Sequence, residues 1–192
     1  PEFGIFNSQQ LNAFATGSSK NNSLVAISSG LVSHMSRGEI EAVIAHEISH
    51  ISNGDMITMT LIQGIINTFV IFFSRIIGHF VDRVIFKVQR GHGPAYYITS
   101  IITQILLSVL ANIIVMWFSR KREFEADASA AKLVGANKMI AALKVLSNKS
   151  PDALPDQMAA FGISGKKEKS YKSLFSSHPS IESRIESLLR NS

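Results

Sequence analysis

Two stretches of this chain carry no charged residue for long enough to decide what it can fold into. Met56 to Ser74 runs for 19 residues and Ile98 to Phe118 for 21. As a helix, each is about long enough to cross the ~30 Å hydrocarbon core of a bilayer. A soluble protein of 192 residues rarely needs two helices that are apolar on every face, because such helices must be wholly enclosed. The flanks point the same way. Arg75 follows the first stretch, Tyr96 and Tyr97 precede the second, and Trp117, Arg120, Lys121 and Arg122 end it, which are interfacial anchors. The expected organisation is a membrane hairpin, with helices over about 56–78 and 96–118, set between residues 1–55 and residues 119–192. The linker holds Arg83, Lys87 and Arg90 against Asp82, and the opposite ends are basic too. Charge alone therefore does not orient the hairpin.

Just before the hairpin stands His46-Glu47-Ile48-Ser49-His50, an H-E-x-x-H pattern. Residues i and i+4 share a helix face, so His46 and His50 can grip one metal ion while Glu47 acts on a water beside it. The helix is well signalled. Ser36 and Glu39 have capping-box form, Ile40, Val43, Ile44 and Ile48 recur at helical spacing, and Asn53-Gly54 tolerates the left-handed geometry of a helix end. The plainer alternative, two core histidines on an apolar helix, would bury two imidazoles and a carboxylate without compensation.

A catalytic zinc keeps three protein ligands and an open position. The extended pattern with glycine and a third histidine fails, since Asn53 and Met56 occupy those places. The remaining candidates are Asp55, His79, His92, Glu123, Glu125, Asp127 and His178. Asp55 reads best as a helix-end or interfacial acid, and His79 and His92 fall in the linker. Glu123 and Asp127 share one face of a small-residue helix, with Glu125 turned about 200° away from Glu123. Glu123 can then coordinate while Asp127 accepts a hydrogen bond from the distal nitrogen of a ligating histidine. An exposed helix with two ordinary acids is the alternative. Cysteine is absent, so a metal site must use histidine and carboxylate.

The ends of the chain suggest supporting roles. Leu11 to Thr16 and Leu24 to Ser28 read as short strands joined by the polar turn Gly17–Ser23. A free strand edge beside the metal would align an extended peptide, with Asn12, Ala13 and Phe14 as the substrate-binding residues; a plain hairpin closing the core is the alternative. Pro179 suits the first position of a helix, which sets His178 near an N-terminus as a donor for an oxyanion, or as a simple cap. Ile181, Ile185, Leu188 and Leu189 make the following helix amphipathic, and Arg184 on it is otherwise a solvated charge. Gly162 to Ser173, with four lysines, reads as a mobile basic loop. The net charge of +5 suits an anionic membrane surface; no nucleic-acid-binding signature accompanies it. No nucleotide-binding G-x-x-x-x-G-K-[ST] loop is present. The first residue, Pro1, suggests a fragment or processed form.

Taken in order, His46-Glu47-x-x-His50, the apolar hairpin, Glu123-x-x-x-Asp127 and His178-Pro179 resemble the HtpX family of bacterial membrane zinc metallopeptidases, relatives of the type-I CAAX prenyl endopeptidases. The likeness runs from Asn12–Gly17 to His178–Arg184. It implies one zinc per chain held by His46, His50 and Glu123, with Glu47 as general base, Asp127 supporting a ligand histidine, and Arg184 near His178 or the intermediate. It further implies cleavage of misfolded or damaged membrane proteins as part of a stress response. The location implied is the bacterial inner membrane, multi-pass, with the active site facing the cytoplasm and no ATP requirement. A further pair of membrane segments upstream belongs to that pattern. The fold expected is mainly α with a small antiparallel hairpin or sheet, a zincin-like domain interrupted by the two-helix hairpin. The competing functions are a catalytically silent membrane scaffold that keeps a structural metal, and a metal-free adaptor.

Overall fold

The computed structural model describes residues 1–149 and 178–191; the basic stretch Gly162–Ser173 lies outside them. The chain is mainly helical with one small sheet, and it divides into two compact units. One joins Pro1–Ile57 to Ser119–Ser192, and the other is Thr58–Phe118.

The first unit opens with β1 (Glu2–Phe6), β2 (Ala13–Ser19) and β3 (Asn22–Ser28), in sheet order β1-β3-β2. The central strand β3 is buried continuously from Val25 to Ser28, as a strand covered on both faces should be. β2 pairs with it antiparallel, and the ladder reaches Ser19↔Asn22 past an irregularity at Gly17–Ser19. The reversal is thus much shorter than the seven-residue turn the polar composition suggested. Backbone pairing carries no information in those side chains, so serines read as loop can still extend a ladder. β1 pairs parallel to β3, which makes the sheet mixed rather than purely antiparallel. Its large residues Phe3 and Ile5 are 61% and 69% exposed, so β1 has no buried alternation to betray it in the sequence.

The buried hydroxyl of Ser28 joins the sheet to the first helix. It caps α1 (Ser29–His34) by accepting from the Leu31 N–H, also accepts from the Asn12 N–H at 3.1 Å, and donates to the Gln10 carbonyl at 2.7 Å. Next, α2 (Arg37–Asn53) starts at a full capping box: Glu39 Oε2 accepts from the Ser36 N–H at 2.7 Å, and the Ser36 hydroxyl accepts from the Glu39 N–H. It ends on Gly54 at φ 73°, a left-handed conformation that glycine adopts without strain. The core of this unit joins Leu31, Ala42, Val43 and Ala45 to Ala130, Met139, Leu143 and Leu188. The last residues come from α4 (Pro94–Val134), α5 (Ala136–Lys149) and α6 (Ile181–Arg190).

The second unit holds most of α3 (Asp55–Phe80), a π-helical turn (Val81–Ile85) and the first part of α4. Both helices are long and apolar enough to cross a membrane. Only 6% and 11% of their most apolar windows are buried, which is not the burial of core helices. They meet closely at Gly78, where a Cβ would fall 2.0 Å from the Ser100 hydroxyl; glycine lets the backbones approach.

Candidate metal centre

Helix α2 sets His46 and His50 one turn apart, with Nε2 atoms 3.1 Å from each other. From α4, Glu123 brings Oε2 to 3.5 Å of His46 Nε2 and Oε1 to 3.4 Å of His50 Nε2. These three form the one group among the described residues able to hold a metal ion. The fit can be judged from the spacing. Ligand atoms about 2.0–2.1 Å from a tetrahedral zinc stand about 3.3–3.4 Å apart by geometry. The observed triangle has nearly that edge, and two imidazoles with one carboxylate are a common catalytic zinc set.

Each histidine has a carboxylate behind it. His50 Nδ1 lies 2.6 Å from Asp55 Oδ2, so the Nδ1–H donates to the carboxylate, and in the neutral ring Nε2 is the lone pair that faces the centre. Gly54 makes this possible: it turns the chain so that α3 begins at once with Asp55, five residues after His50. Arg122 Nη1 stands 3.8 Å behind Asp55. His46 Nδ1 lies 3.0 Å from Asp127 Oδ1, in a contact too oblique to satisfy its buried N–H. Asp127 is fixed by Arg184, whose Nε and Nη2 donate to its two oxygens at 2.7 and 2.6 Å. Arg184 Nη1 also reaches Glu123 Oε2 at 3.4 Å.

The electrostatics arise from this crowding. Burial pushes His50 down, but Asp55 and Glu123 outweigh it and carry its pKa up to about 9. His46 is raised likewise, burial opposing and Asp127 with Glu123 prevailing. Burial favours a neutral Glu123, yet contacts with His178, His46 and His50 hold it well below the ordinary carboxylate range. Asp127 is lowered against burial, chiefly by Arg184.

A cavity of about 170 Å³ adjoins the triad. Glu47, His178, Arg184, Asn12 and Ala13 share its wall with His46 and Glu123. His178 is 65% exposed, and its Nδ1 lies 3.1 Å from Glu123 Oε2. Its helix does not start where Pro179 suggested. Ser180 is the N-cap in place of His178, its hydroxyl accepting from the Ser183 N–H, as serine favours that position. Phe14 does not line the cavity; it packs against Phe6 with ring centroids 5.5 Å apart. Successive strand residues face opposite ways, and Ala13 takes the inward place. Glu125 points away, toward Lys121. His79 and His92 sit in the other unit. Asp55 is the residue whose role the sequence reading missed: it is indeed a helix-end acid, but a buried one that touches a candidate ligand.

The sequence pattern of peptidase family M48 matches residues 1–192. The chain belongs to peptidase family M48. Among curated M48 relatives, it is 61% identical to the protease HtpX of Alkalilimnicola ehrlichii over 98% of this chain and 63% of that protein. It is 62% identical to the protease HtpX of Pseudoalteromonas atlantica over 98% of this chain and 64% of that one. The chain therefore spans somewhat under two thirds of the length of these relatives. The crystal structure of S. mikatae Ste24p superposes with a TM-score of 0.63 at 25% identity, covering 96% of this chain and 44% of that one. The resemblance drawn from the motifs and the mainly α fold with a small sheet are borne out.

Proposed function

We propose that this chain carries the catalytic centre of a membrane-embedded zinc endopeptidase that hydrolyses peptide bonds in misfolded or damaged membrane proteins. The observation that supports it most is the His46–His50–Glu123 triangle at zinc-ligand spacing, opening on a cavity whose wall includes Glu47. M48 membership agrees. The two long apolar helices support the membrane part, and a hairpin returns residues 119–192 to the side on which residues 1–55 lie. The inner membrane, the cytoplasmic facing and the absence of an ATP requirement rest on the resemblance to the bacterial proteases.

His46, His50 and Glu123 would hold one zinc. When bound, it supplies Lewis acidity, acidifying a water and polarising the scissile carbonyl. Glu47 accepts the proton of the attacking water and returns it to the departing amine nitrogen. Asp55 keeps the His50 ring in its working tautomer, and the Asp127–Arg184 pair sets a carboxylate against His46 Nδ1. His178, on the cavity wall, donates to the oxyanion that develops on the carbonyl oxygen, with Arg184 close enough to assist. Asn12 and Ala13 present the β2 edge, along which an extended substrate pairs through its backbone.

The deciding experiment compares the intact protein with its Glu47→Gln variant in detergent, for metal content and for cleavage of an unfolded membrane substrate. The expectation is stoichiometric zinc in both, and a loss of roughly 10²–10⁴ in rate for the variant. Equal cleavage by both would remove Glu47 as the base. Zinc in both with cleavage in neither would point to a silent scaffold.

A further inference from the structure

The helical hairpin unit contains a second cavity that peptide hydrolysis does not use. It measures about 540 Å³ and lies at the tip, where α3 gives way to the π-helical turn before α4 begins. Part of its wall is apolar. Phe72, Ile76 and Phe80 recur one turn apart along α3 and are 48–58% exposed, so the wall continues the apolar face of the helix. The rest is cationic and aromatic, with Arg75, Arg83, His92 and Tyr96.

Neither guanidinium pairs with an acid among the described residues. Arg75 donates to the Tyr96 hydroxyl at 3.2 Å. Arg83 donates to the carbonyls of Val88 and Gly91 at 2.7 and 3.4 Å, which shapes the tip without neutralising it. The tip's one acid, Asp82, is fully buried, accepts from the Gly93 N–H at 3.0 Å, and does not line the cavity. Set against one arginine it still leaves the cavity positive.

We infer that this cavity binds an anionic phospholipid, with its phosphate between Arg75 and Arg83 and an acyl chain along Phe72, Ile76 and Phe80. Two features select a lipid over a free phosphate. A cationic pocket at the end of apolar helices sits at headgroup depth, a level that Tyr96 and Tyr97 also mark. The adjoining apolar wall would give a soluble anion nothing. The inference rests on the membrane-embedded part of the proposed function and is independent of its peptidase part.

The test uses the intact protein reconstituted in vesicles of phosphatidylcholine mixed with phosphatidylglycerol. Alkaline extraction comes first. Release of the chain by that treatment would overturn the membrane reading and the lipid site together. For a retained chain, native mass spectrometry after detergent transfer counts the bound lipids. Preferential retention of phosphatidylglycerol is expected, falling about five-fold in Arg75→Gln and recovering in Arg75→Lys. Arg90→Gln, which removes an equal charge outside the cavity, should leave retention unchanged. Equal loss in Arg75→Gln and Arg90→Gln, or no preference for either lipid, would overturn the site while leaving the membrane reading intact. Displacement of the lipid by glycerol 3-phosphate at matching concentration would reassign the cavity to a soluble phosphate and also overturn it.

Discussion

Asp55 makes a residue's meaning depend on the turn that precedes it. Five positions beyond His50, it shares no helical face with it, so periodicity cannot pair them; the corner at Gly54 does. His46, Glu47 and His50 were legible because one helix fixes their spacing. Glu123 and Asp127 were legible as an i, i+4 pair, with Glu123 set toward the metal and Asp127 behind a histidine, but the arginine that grips Asp127 needed the position of α6. Replacing Asp55 by alanine should weaken metal binding about 10–100-fold by freeing the His50 ring, with asparagine recovering part of the loss. Competition against a chelator of known affinity measures this, and an unchanged affinity would strip Asp55 of its orienting role.

At the scale of elements, α2 is bounded by signals that stand in its own sequence. The capping box and the left-handed glycine are local chemistry, and the helix begins and ends on them. Helix α4 is the contrary case. An apolar stretch and a ligand-bearing stretch read as two objects, yet Pro94 to Val134 forms one helix of 41 residues, since no glycine or proline interrupts it. β1 was illegible because its large side chains face outward. The Gly54 corner offers a test. Gly54→Ala must hold φ near 73° at a cost of about 1 kcal/mol, lowering the midpoint of thermal unfolding, while Gly54→Asn should lose less. An alanine variant as stable as the parent would mean that the corner relaxes freely.

For the whole molecule, metal and protons compete for one place. His50 carries a pKa raised from 6.5 to about 9. Its proton therefore contributes to the stability of the metal-free fold fully below about 6.5, and that contribution is lost as pH climbs through about 9. A metal requires the neutral ring, so uptake between those values expels the proton and apparent affinity strengthens as pH rises. Calorimetry of zinc binding in buffers of differing ionisation enthalpy should report at least one proton released. None released would exclude His50 as a ligand.

The order of the parts along the chain carries a final consequence. During synthesis His46 and His50 emerge before the hairpin, Glu123 after it, and His178 and Arg184 later still. Two nitrogens without their carboxylate make a poor trap for metal, and the cavity wall is incomplete until His178 and Arg184 follow. A metal centre that draws its ligands from both sides of the hairpin cannot close before the hairpin has been made. Chain order thus sets when the centre can form.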